Sequence, residues 1–171
     1  MRRIKLLGML LCVLAIPLLV AGCLKCINIS GLPVTPSTNE ITLDNITFKS
    51  AILPSGTPSG VEVDDYCPPG GDGVNEIVIG WSQSDAGTAE FAQIVFASGV
   101  FPTGVSKVEV TCMHYNACRM EAYDSDMNLV DSDAHTAGER TLQTLKLEGA
   151  KIFTIKVIGA EIGITKFCYE E

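Results

Sequence analysis

An all-β fold, arranged as an antiparallel β-sandwich, is what this 171-residue sequence predicts, and three observations carry the prediction. Apolar and polar residues alternate over short runs, the pattern of a strand with one face buried. Glycine and proline punctuate those runs at close intervals. No long segment keeps the 3.6-residue period of an amphipathic helix. Roughly eight to ten short strands fit between the breaks, which favours two packed sheets, with a closed barrel as the alternative.

The elements follow in order. "NEIVIGW" sets Ile77, Ile79 and Trp81 on one face, and Trp81, the only tryptophan, is expected in the core. "TAEFAQIVFAS", residues 88–98, also fits a helical period through Phe91, Ile94, Val95 and Ser98, but its β-branched and aromatic residues equally suit a strand. "VSKVEVTC" aligns Val108, Val110 and Cys112, and "CRMEAY" aligns Cys118, Met120 and Ala122. "RTLQTLKLE", "KIFTIKVIG" and "EIGITKFCY" then read as a terminal run of antiparallel strands. Residues 40–171 suffice for one domain with a two-layer core.

The N-terminus reads as an export leader, residues 1–22. Arg2, Arg3 and Lys5 precede an apolar run that Pro17 interrupts, and the run is short of the roughly 20 residues a spanning helix needs. Its last residues, "VAGC", resemble the lipobox of prokaryotic lipoproteins. That resemblance implies cleavage before Cys23, acylation of its sulfur and attachment to a membrane of the cell envelope, with the protein facing the periplasm or exterior. Residues 23–39, rich in Ser, Thr, Pro and Gly, are expected to form a lipidated tether. Removing the leader's three positive charges, with no acid among them, takes the formal net charge from −8 to −11. So acidic a domain is a poor nucleic-acid binder and suits cations or neutral ligands.

Folding residues 108–122 as a hairpin about Tyr115 places Cys112 opposite Cys118, Val110 opposite Met120 and Val108 opposite Ala122, and predicts a Cys112–Cys118 disulfide in an oxidising compartment. The same register opposes Glu109 to Glu121, a like-charge pair. Cys112, His114 and Cys118 taken as zinc ligands would lack a fourth group. Seven cysteines, less Cys12 in the leader and Cys23, leave Cys26, Cys67 and Cys168 beyond that pair. Cys67 with Cys168 would staple the "DDYCPPGGDG" loop to the last strand, and Cys26 with Cys168 would tie the tether to the domain; sequence leaves both open.

Two acidic segments invite a cation. "VDDYCPPGGDGVNE" offers Asp64, Asp65, Asp72, Asn75 and Glu76 as a candidate calcium loop. "DSDMN" begins like an EF-hand with Asp124, Asp126 and Asn128, but Leu129 stands where glycine belongs and His135 where the closing glutamate belongs, so a polar turn is expected. For a glycan ligand, Tyr66, Phe101, His114, Tyr115 and Asn116 are the candidate loop contacts. No nucleophile elbow, phosphate-binding glycine loop or metalloprotease helix occurs, so no catalytic residues are expected.

In the order "VSKVEVTC", "MEAYDSDMNLVDSD", "TLQTLKLEGAKIFTIKVIG" and "EIGITKF", the second half of the chain is similar to the galactose-binding-like jelly rolls of carbohydrate-binding modules. The resemblance implies a jelly roll and a non-catalytic binding function with carbohydrate as ligand. Gly163 and Thr165 depart from the acidic position many relatives carry in that last strand. The alternative is a structural envelope lipoprotein docking to protein partners.

Overall fold

A computed structural model describes residues 23–54, 56, 58–65, 74–79, 90–114, 117–136, 142–159 and 162–171, with the side chain of His114 excepted. Thirteen strands are described: β1 (Lys25–Asn28), β2 (Thr35–Thr38), β3 (Glu40–Leu43), β4 (Ile46–Ser50), β5 (Val61–Asp64), β6 (Glu76–Ile79), β7 (Glu90–Phe96), β8 (Val105–His114), β9 (Cys118–Tyr123), β10 (Leu129–His135), β11 (Gln143–Ile152), β12 (Thr154–Ile158) and β13 (Ile162–Glu170). They form two antiparallel sheets, in the orders β11-β8-β13-β6-β5-β2 and β10-β9-β12-β7-β4-β3, with β1 added to β13. The chain is an all-β sandwich.

Alternation builds the core. Cys118, Met120 and Ala122 of β9 point inward while Arg119 is exposed and Glu121 and Tyr123 are half-buried. Phe48, Phe91, Phe96 and Phe167 are almost wholly buried, each contributing about 1.5–3 kcal/mol by leaving water. Edge-to-face contacts join the sheets: Phe48 meets Phe167 at 5.4 Å between ring centres, and Phe101 meets Phe96 at 5.5 Å and Tyr169 at 5.4 Å. Ile77 and Ile79 are in the core as expected, while Trp81 lies outside the described residues. Residues 90–96 are strand β7, so the ambiguous segment is not helical there.

Three expectations need correction. The 108–122 hairpin does not form, because β8 and β9 belong to different sheets. β8 instead pairs with β11, Val110 opposite Leu145 and Val108 opposite Leu147, and with β13, Val110 opposite Phe167. This arrangement relieves the like-charge conflict: Glu109 stands opposite Lys146 and lies 3.2 Å from Lys107, while Glu121 stands opposite Lys156. Cys112 and Cys118 accordingly remain free thiols, both buried.

The second correction concerns Cys67–Cys168, one of the two pairings left open for Cys168; the other, with Cys26, is the one that forms. Cys168 is bonded to Cys26, because β1 lies antiparallel on β13 with these two residues directly opposite and their Cα atoms 4.0 Å apart. Cys67 is outside the described residues. Third, the segment expected as a tether contains β1 and β2, so the sheet begins two residues after Cys23. The last three strands exist as expected but do not pair in sequence: β11 and β13 flank β8, whereas β12 crosses to the other sheet between β7 and β9.

Candidate functional site

The sequence-derived candidates do not assemble among the described residues. Phe101 is a core residue at 2 % exposure, locked between Phe96 and Tyr169, because the 97–104 connection folds its ring under the sandwich end. It is therefore no sugar-stacking contact. His114 ends β8 opposite Ile162, and Tyr66, Tyr115 and Asn116 lie outside the described residues.

Of the expected calcium set, Asp72 is likewise outside. Asp64 ends β5 opposite Glu76 and accepts a hydrogen bond from the Asp65 N–H at 2.9 Å. Asn75 is turned to the N-terminal segment, its amide donating to the Leu32 carbonyl at 2.7 Å. Glu76 is fully buried. Burial, with a smaller contribution from the charge of Glu76, pushes the Cys112 thiol up to about 12. No group of three or more His, Cys, Asp or Glu placed to hold a metal occurs among the described residues.

"DSDMN" is the polar turn that its chemistry predicts. One carboxylate oxygen of Asp124 accepts the N–H groups of Asp126 and Asn128 at 2.9 and 2.8 Å, and the other accepts the Asn128 side-chain amide at 3.0 Å. Met127 takes a left-handed conformation, φ 62°, to close it.

The outer face of the six-stranded sheet brings together a set that the sequence reading missed. Inward pointing of Met120 and Ala122 on β9 turns Arg119, Glu121 and Tyr123 outward. Lys156 on β12 stands opposite Glu121 on one side and Gln93 of β7 on the other. Glu121 accepts from Arg119 at 2.9 Å and from the Tyr123 hydroxyl at 2.5 Å. Glu90 accepts from Lys156 at 2.9 Å and from the Gln93 amide at 2.6 Å. The Lys156 ammonium lies 5.3 Å from the centre of the Tyr123 ring. The hydrogen bond to Glu121, then burial, push the Tyr123 hydroxyl up to about 12, so it stays a phenol donor at neutral pH.

Two cations and two anions thus balance on a surface held by three central strands. Where this face meets the end of the sandwich it opens into a depression of about 480 Å³, lined by Val95, Ser98, Asp124, Ser125, Met127 and Thr154. Thr154 stands between Tyr123 and Val95, so ring and depression are contiguous. Chemically the array offers hydroxyl, amide, guanidinium and carboxylate groups beside one aromatic ring: partners for a hydroxyl-rich ligand. Alternation in "CRMEAY" carried the signal for its outward half; the β7 and β12 half depends on pairing across distant sequence.

No family model matches this chain, and no curated protein matches it. Among solved structures it is similar to CsCBM6-3 from Clostridium stercorarium, determined in complex with cellobiose. The two are 10 % identical, with a TM-score of 0.38, over 86 % of this chain and 93 % of the other.

Proposed function

We propose that this chain is an exported lipoprotein, anchored through Cys23, whose sandwich binds carbohydrate on the outer face of the six-stranded sheet without catalysing a reaction. The observation that carries the binding reading is the array around Tyr123. Sugar recognition combines an amphipathic ring with polar side chains held in fixed positions, and here strand pairing fixes Arg119, Glu121, Tyr123, Gln93 and Lys156 side by side. Because Arg119 and Lys156 are matched by Glu121 and Glu90, the face favours a neutral glycan over an acidic one. Support for the anchor is the leader and its "VAGC" ending, together with the exposed position of Cys23.

The test is calorimetric titration of the exported domain against neutral and acidic soluble oligosaccharides, repeated with Tyr123→Ala and Gln93→Ala. Binding of a neutral glycan that weakens about tenfold, or about 1.4 kcal/mol, in Tyr123→Ala is expected. A glycan bound equally well by both variants would place the site elsewhere.

A further inference from the structure

The geometry points to the end of the sandwich that carries Cys23 as a membrane-docking surface: Leu24, Val100, Met127 and Leu129 rest in the outer region of the bilayer that holds the anchor. The inference rests on the attachment at Cys23 proposed above.

The pairings define this end. Lys25 stands opposite Tyr169, Tyr169 opposite Val108, and Ile152 opposite Val105 in the seven-stranded sheet. Ile46 stands opposite Phe96, and Tyr123 opposite both Thr154 and Leu129, in the other. The Phe101 ring, in contact with Phe96 and Tyr169, ties the two sheets together there. The connections at 44–45, 97–104 and 124–128 and the entry to β1 therefore gather at one end.

Seven large apolar side chains are exposed among the described residues, and four belong to this end: Leu24 at 39 %, Val100 at 49 %, Met127 at 49 % and Leu129 at 57 %. They are linked through the fold. Val100 precedes Phe101, whose ring contacts Tyr169 opposite Lys25. Met127 shares the depression with Ala97 and Ser98 of the Val100 connection. Scattered exposed apolar residues are ordinary, but a cluster on one surface marks an interaction site. Ile52 and Leu142 flank the opposite ends of β4 and β11.

The occupant follows from reach. Two residues of extended chain span about 7 Å at most, and that is all that separates Cys23 from Lys25. β1 cannot swing away, because it is paired with β13 and bonded through Cys26–Cys168, with Lys25 also bridged to Glu171. A lipid on Cys23 therefore draws this end to the headgroups, leaving no slack to hold its apolar side chains in water. Charge selects the lipid class. Asp44, Asp124, Asp126, Glu170 and Glu171 outnumber Lys25, Lys107 and Lys151 in this region, so insertion is apolar and suits zwitterionic headgroups. The Tyr123 face runs up from this end along the side of the sandwich, with Glu121 and Lys156, then Arg119, farther from the anchor than Tyr123.

The full lipidated chain, purified from its membrane and reconstituted in phosphatidylcholine vesicles, tests this. An environment-sensitive fluorophore is placed through Val100→Cys, Met127→Cys, Leu129→Cys, Ile52→Cys or Leu142→Cys, and quenched by doxyl-labelled lipid. Quenching at the first three and none at Ile52 or Leu142 is expected, and it should weaken when phosphatidylglycerol replaces part of the lipid. A lipidated, vesicle-bound chain quenched nowhere, or equally at both ends, overturns the docking surface alone. A chain whose intact mass shows no lipid on Cys23 overturns the attachment and the docking together.

Discussion

The carboxylate of Asp133 accepts a hydrogen bond from the backbone N–H of Lys146 at 2.8 Å, joining the edge of one sheet to the edge of the other. Two residues before Asp133 on β10, Asp131 accepts from the Glu148 N–H at 2.7 Å, and two residues after it the His135 ring lies 3.4 Å from the Thr144 carbonyl. These contacts follow one antiparallel register, with side chains of β10 standing in for the backbone of a paired strand. An open edge is a template for association, and inward-pointing charges are one way of blunting it. Asp131→Ala and Asp133→Ala are each expected to lower the unfolding free energy by about 0.5–1.5 kcal/mol in urea titrations. Asp133→Asn, which keeps an acceptor oxygen, should lose less, and the double alanine variant should self-associate in sedimentation experiments. A double variant as stable as the parent would show that the seam holds nothing.

The Cys26–Cys168 bond closes a loop of 142 residues in sequence separation. Long loops lose the most chain entropy when cross-linked, and removal of such a bond costs roughly 2–5 kcal/mol. Replacing both cysteines by alanine is expected to lower the thermal midpoint and to abolish its sensitivity to reductant. If reductant shifts parent and variant equally, the bond contributes no stability.

Much of this architecture was legible in local sequence, and the failures have one cause. Alternation in "VSKVEVTC" and "CRMEAY" set the inward faces of β8 and β9 correctly, because period two is a property of a single strand. What each strand pairs with is not. The apolar match of Val110 with Met120 was real complementarity, but Leu145 and Phe167 offered the same match without opposing Glu109 to Glu121. The Tyr123 face was hidden for the same reason: Glu90 and Gln93 meet Lys156 only once β7 and β12 lie side by side. Phe101, in a Gly- and Pro-containing stretch, had the composition of a loop contact, and its burial follows from rings supplied by β7 and β13.

Gly104 fixes the connection between β7 and β8. Its φ is +72°, and an added Cβ would lie 2.8 Å from the Ile152 carbonyl oxygen and 2.9 Å from Lys151 backbone atoms, none of which can rotate aside. Gly104→Ala is therefore expected to destabilise by about 1–3 kcal/mol, combining backbone strain with displacement of the 151–152 backbone. Gly56, also at positive φ but with open space around its Cβ position, should tolerate alanine better. Equal losses at both positions by urea denaturation would remove the steric part of the argument.

Asp124 supplies a pH dependence whose sign is fixed by its hydrogen bonds. The Asn128 side-chain amide and N–H, then the Asp126 N–H and the charge of Lys151, hold its carboxyl below the usual aspartate value. A carboxylate that binds its proton more weakly in the folded state stabilises that state above its unfolded value of about 3.9, and the contribution disappears as pH falls through the lower folded value. Carboxyl carbon NMR should accordingly show Asp124 titrating below the ordinary aspartate value. Relative to Asp124→Asn, the parent's stability at neutral pH should decline on acidification through this window, and the gap between them should narrow. A titration midpoint at or above the ordinary aspartate value would mean that the turn does not depend on the ionised carboxylate.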